Sequence, residues 1–112
     1  MISKRPWGYF ENVFKGNGFK IKKIVVFPGK RLSLQKHFFR EETWLTFNGV
    51  GEATIGKTIK PLTSGAIVHI KKKQPHRLSN TGKQNLEIYE IQAGQKLVEY
   101  DIVRLEDDYG RK

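Results

Sequence analysis

Residues 29–49, GKRLSLQKHFFREETWLTFNG, carry the reading that decides the fold. They read as one β-strand, a tight turn and a second strand. Side chains alternate along a strand, so Arg31, Ser33, Gln35 and His37 share one face while Leu32 and Leu34 share the other. Glu42 opens the second strand and can swing back toward Gln35 and His37. An amide oxygen, an imidazole and a carboxylate converging at a hairpin end are three candidate ligands for a divalent metal. His76, in the later segment PHRLSN, is a fourth. The bland alternative is a polar strand face that happens to carry a histidine.

Upstream of this stretch, Pro6 and Gly8 predict an irregular arm over 1–8, anchored by Trp7. A short strand over 9–14, a hairpin turn at Gly16-Asn17-Gly18 and a β-branched strand over 19–27 follow. The pair Lys22-Lys23 interrupts the alternation between Ile21 and Ile24 and predicts a bulge. Downstream, strands are expected over 51–57, 58–62, 66–70, 76–80 and 85–92. Residues 95–112 read as an extended tail with one helical turn near Glu99, packing on the barrel or a partner subunit. Many short strands with close turn signals and no sustained helical period give an all-β barrel or sandwich.

The 112 residues suffice for a single domain over 1–112, and 38% apolar content supports a small core. There is no cysteine, so disulfides and thiolate metal sites are excluded. A net charge of +10 can attract nucleic acid, anionic membranes or phosphorylated small molecules. The lysines are scattered, and no nucleic-acid-binding motif accompanies them, so a solvated basic surface is expected and nucleic acid is set aside as a partner. No apolar run reaches the length of a membrane span and no signal-peptide apolar region opens the chain, which predicts a soluble, cytoplasmic protein with no membrane contact.

Taken together, these residues resemble the two motifs of the cupin family. In the first, five residues separate Gly29 from Gln35, one separates Gln35 from His37, four lie between His37 and Glu42, and six lead on to Gly49. Cupins usually carry histidine where Gln35 stands. In the second, Gly65 leads to His76 and Asn80, and Lys71 and Lys73 replace the family's Pro and Gly. The chain is most similar to one branch, the type II phosphomannose isomerase domain. That domain forms the C-terminal part of bifunctional mannose-1-phosphate guanylyltransferase/mannose-6-phosphate isomerase enzymes. RPWG (5–8), RLSLQ with His37 and Arg40, the Glu42 and Trp44 pair, PHRLSN (75–80) and DIVRLEDDYGR (101–111) carry the resemblance. The guanylyltransferase half of those enzymes is expected to be absent. Phe38, Phe39 and Thr43 stand where the family is rich in histidine.

The resemblance implies a cupin-type small β-barrel or jelly roll (a double-stranded β-helix) with its ligand pocket at one mouth. It implies one divalent metal held by Gln35, His37, Glu42 and His76. Zinc is the default, and Mn, Fe, Co or Ni suit the same donors. The implied activity is interconversion of mannose 6-phosphate and fructose 6-phosphate, feeding GDP-mannose and polysaccharide synthesis. Arg40 is a candidate for the substrate phosphate, with Lys71 and Lys73 assisting from the facing loop; the alternative is solvated charge. Glu90 and Gln92 share a face with Leu86 and Ile88. If that face is inward, Glu90 is the candidate general base or a paired structural carboxylate, and Gln92 a substrate contact. His69 is expected at the surface, and Arg77 at a dimer interface or the tail. Residues 107–111 are expected to dock the tail across the barrel or onto a partner subunit, with direct ligand contact as the alternative. A homodimer is expected through outward apolar residues such as Leu32 and Leu34. Two other classes stand beside the isomerase: a non-catalytic cupin that binds a sugar or sugar nucleotide, and a basic β-barrel that binds nucleic acid.

Overall fold

Regular structure in this computed structural model, which describes residues 1–111, is entirely β. The strands in chain order are β1 (Ile2–Arg5), β2 (Gly8–Lys15), β3 (Phe19–Val26), β4 (Leu34–Lys36), β5 (Arg40–Asn48), β6 (Gly51–Ile55), β7 (Thr58–Leu62), β8 (Ile67–Ile70), β9 (His76–Asn80), β10 (Leu86–Gly94) and β11 (Val103–Glu106). They form two antiparallel sheets, ordered β1-β2-β3-β10-β5-β8 and β11-β4-β9-β6-β7. No helix long and apolar enough to cross a membrane occurs among the described residues.

Period-two burial makes the core. Leu86 and Ile88 on β10, Ile24 and Val26 on β3, Trp44 on β5 and Leu78 on β9 are all buried between the sheets. Each fully buried aliphatic side chain contributes about 1.5–3 kcal/mol of apolar transfer. Toward one end of the barrel the same inward rows turn polar. On the larger sheet, Lys22, Glu90 and Trp44 lie side by side, followed by Lys20, Gln92 and Glu42. On the facing sheet, Arg104, Gln35 and His76 form the matching row. One hydrophobic barrel therefore ends in a charged mouth.

Gly49 ends β5 at φ +98°, and a Cβ there would meet the Asn85 carbonyl oxygen at 2.6 Å. Only glycine fits both demands.

Several expectations are corrected. The arm over 1–8 is not irregular: Ile2–Arg5 pairs with β2 as a strand. The bulge lies on β2 rather than at Lys22-Lys23, because Asn12 pairs with Lys22 and Phe14 with Ile21, leaving Val13 as the extra residue. Strand β3 alternates regularly, so Lys20 and Lys22 point inward with Ile24. Their ammonium groups reach Glu99 at 3.0 Å, and Lys22 also sits 4.1 Å from the Phe10 ring centroid. Leu32 belongs to the core rather than to an outward face. The chain is irregular before β4, held by the Arg31–Ser79 bridge and by Leu32 N donating to Leu78 O at 2.9 Å, so Leu32 and Ser33 are both buried. The exposed apolar residues gather instead on the outer face of the larger sheet, at Leu45, Phe47, Ile67 and Ile91.

Tail and barrel are tied together. Strand β11 adds to the edge of β4, where unpaired backbone groups are otherwise exposed. Arg77, facing away from His76, donates to Leu32 O at 2.9 Å and reaches Glu106 at 3.2 Å. Arg31 holds Asp108 bidentately at 2.7 and 2.9 Å. Tyr109 also donates to Arg31 O at 3.0 Å.

Candidate metal centre

His37, Glu42 and His76 each offer a ligand atom, and these atoms all lie within 4.8 Å of one another. They come from the three places marked in the sequence: the end of β4, the start of β5 and the start of β9. All three side chains are buried. Gln35 is buried beside them, paired in register with His76 and lining one cavity with His37 and Glu42.

Both imidazoles are oriented by backbone carbonyls. His37 Nδ1 donates to Asp101 O at 2.6 Å, and His76 Nδ1 donates to Gln74 O at 2.9 Å. A carbonyl can only accept, so Nδ1 carries the proton in each ring and Nε2 presents a lone pair. The two Nε2 atoms face the Glu42 carboxylate at 3.2 and 3.7 Å. His76 Nε2 has no hydrogen-bond partner although it is buried. Lone pairs and a carboxylate converging without a proton between them call for a cation, and carbonyl-oriented histidines are the usual support of a metal ligand. Arg40 supplies part of that charge, donating through Nε to Glu42 at 2.8 Å and through Nη2 to His37 Nε2 at 3.2 Å. The donor set therefore fits a divalent ion.

Charge follows this geometry. Burial resists ionisation of Glu42, but the positive charge around it, the fixed Arg40 guanidinium included, outweighs burial and holds the carboxyl well below the usual carboxylate range. Burial lowers His76 and keeps its ring neutral, as a ligand must be. Glu90 points inward as its strand face predicts. Burial, reinforced by the Glu42 charge, pushes its carboxyl up to about 7. Its oxygens accept from Trp44 Nε1 at 3.0 Å and Gln92 Nε2 at 2.7 Å.

A cavity of about 160 Å³ opens onto these groups. Gln35, His37, Arg40, Glu42 and Glu90 line it, while Gln92 stands behind Glu90. Lys71 and Lys73 do not line it: both are exposed, and the family's glycine position is met by Lys73 adopting φ +65°. The Lys73 backbone instead donates to His37 O at 2.6 Å, so this loop steadies a ligand by its main chain. His69 is exposed and lies 3.1 Å from Thr43, away from the centre.

Sequence reasoning missed four contributors. Asp101 receives hydrogen bonds from Phe38 N and Phe39 N at 2.9 and 3.0 Å, fixing the turn between ligands. Arg5, Arg104 and Arg111 line the cavity mouth. Their signal lay in RPWG and DIVRLEDDYGR, of which only residues 107–111 offered a ligand contact as the alternative to tail docking.

Fold and centre together define a cupin. A cupin-2 domain structure from Rhodospirillum rubrum superposes with a TM-score of 0.73 at 18% identity, covering 90% of this chain and 76% of that one. The family described as Mannose-6-phosphate isomerase C-terminal matches residues 2–107, and the chain belongs to it. Over 107 residues it is 45% identical to the xanthan biosynthesis protein XanB of Xanthomonas campestris pv. campestris, covering 96% of this chain and 23% of that protein. It is 41% identical over 104 residues to mannose-1-phosphate guanylyltransferase of Sinorhizobium fredii, covering 93% of this chain and 20% of that protein. The chain thus spans less than a quarter of the length of these relatives.

Proposed function

We propose that the chain is a metal-dependent aldose–ketose isomerase that interconverts mannose 6-phosphate and fructose 6-phosphate. Family membership supports the sugar-phosphate class, and the observation that carries the metal dependence is the unpartnered His76 Nε2 facing Glu42 and His37. Gln35, His37, Glu42 and His76 hold the ion, zinc by default. When bound, it supplies Lewis acidity toward neighbouring carbonyl and hydroxyl oxygens.

The remaining work falls to the protein's own groups. Isomerisation moves a proton from the carbon beside the carbonyl to its neighbour. Glu90 is the base: it lines the cavity, and its carboxyl is poised at about 7, where it both accepts and returns a proton near neutral pH. Trp44 and Gln92 fix its two oxygens. Gln92 acts on the substrate through Glu90, by holding that carboxylate. Arg40, expected from the sequence at the substrate phosphate, is bonded to Glu42 and His37 and would contact substrate oxygens beside them instead. Pairing of two chains uses the apolar outer face of the larger sheet, and the cell compartment is the cytoplasm in which sugar phosphates are made.

The test is a coupled assay of the purified chain on mannose 6-phosphate. Formation of fructose 6-phosphate is expected. Retained metal and sugar binding without turnover on any hexose phosphate selects the non-catalytic sugar-binding cupin instead.

A further inference from the structure

We propose that Arg5, Arg104 and Arg111 form an anion subsite at the pocket mouth, which holds the phosphate of a sugar phosphomonoester while its other end reaches the His37–Glu42–His76 centre. This inference rests on the sugar-phosphate reading above and assigns the phosphate to residues which that reading left without a role.

All three arginines line the cavity, although they come from opposite ends of the chain. Arg5 closes β1, Arg104 lies in β11 and Arg111 follows it. Arg104 is the register partner of Gln35, and Gln35 of His76, so the three share one face of the smaller sheet. Neighbouring strands lie about 4.8 Å apart, which puts Arg104 roughly two spacings, or about 10 Å, from His76. The subsite is therefore beside the metal centre and not part of it.

Size points the same way. A cavity of about 160 Å³ is close to the ~150 Å³ that accepts a single six-membered ring. A hexose phosphate entering with its reacting end leaves its phosphate at the mouth. There Arg5 is exposed, and Arg104 and Arg111 are half-buried.

Arg111 keeps Asp107 at 2.9 Å, which fixes its fork in place. Burial and the charge of Arg111, with a smaller contribution from Arg5, lower the Arg104 pKa from its ordinary value although Asp107 acts the other way. A phosphate dianion between the guanidinium groups relieves that repulsion, and the planar fork suits bidentate contact with phosphate oxygens.

The experiment is isothermal titration calorimetry of the full chain with fructose 6-phosphate, and with fructose as the neutral comparison. Arg5→Gln and Arg104→Gln should each weaken fructose 6-phosphate binding by roughly tenfold to a hundredfold, the loss expected for a charge-assisted contact. Zinc binding should not change in either variant. Arg5 is exposed, so Arg5→Gln remains a folded test even where Arg104→Gln loosens β11, and circular dichroism melts report which has folded. Native affinity in both folded variants overturns the proposal. So does a native chain that fails to prefer fructose 6-phosphate over fructose. Arginine-dependent binding without isomerisation keeps the subsite and removes the isomerase reading. Isomerisation with unaltered binding in the variants does the reverse.

Discussion

Arg40 Nε donates to Glu42 Oε2 at 2.8 Å, and the same carboxylate oxygen lies 3.2 Å from His37 Nε2. A guanidinium thus shares its carboxylate and an imidazole with the ion that these groups are arranged to hold. Both partners are buried, so desolvation opposes the pair and offsets much of its attraction.

Removing one member of such a pair leaves the other charge stranded. Arg40→Met should destabilise the metal-free protein by about 3 kcal/mol. Excess zinc should restore most of the loss, because it binds the folded chain and neutralises Glu42. Thermal melts of both proteins with and without zinc check this. Equal melting of the two in the absence of metal contradicts it.

Glu90→Gln keeps size and hydrogen bonding but removes the base. The Gln92 Oε1 atom, which has no partner, can accept the new amide once the Gln92 side chain flips. Turnover should fall at least a hundredfold, the lower end for a positioned base, with little change in stability at low pH, where the native carboxyl is also protonated. The folded carboxyl ionises near 7 rather than 4.5, so the native protein should lose stability as pH rises from 4.5 through 7. Glu90→Gln should flatten that slope in urea unfolding at graded pH.

Glu99 carries the opposite dependence. Burial opposes its ionisation, yet Lys22 and Lys20 outweigh burial and hold the carboxyl at about 2. Its contribution is complete above the unfolded value of 4.5 and disappears as pH falls toward 2. Melting temperatures measured from pH 5 downward should fall less steeply for Glu99→Gln than for the native chain.

Lys73 sits at φ +65° with its side chain exposed and its backbone bonded to His37 O. Lys73→Gly should leave stability unchanged or raise it by up to about 1 kcal/mol, since glycine adopts that conformation without penalty. KM for mannose 6-phosphate should not move. A rise in KM returns phosphate binding to the lysine loop.

The fold was legible because its strands alternate and its turns carry Gly, Asn and Pro at close intervals. The candidate cluster of His37, Glu42 and His76 was legible because these residues lie near strand ends where spacing places them. What escaped depends on partners remote in sequence. Lys20 and Lys22 looked like solvated surface, and only their 3.0 Å contacts to Glu99, far along the chain, explain their burial. Leu32 looked outward because parity assumes a regular strand, and the chain before β4 is held by isolated contacts instead. Arg5, Arg104 and Arg111 converge only after β1 and β11 have joined opposite sheets.

The most direct test of metal-dependent isomerisation is the coupled mannose 6-phosphate assay on one preparation, before chelation, after complete metal removal and after zinc is returned. The account predicts turnover, then loss of turnover, then recovery in the native chain, with no recovery for His76→Ala. Turnover that survives complete metal removal would contradict it.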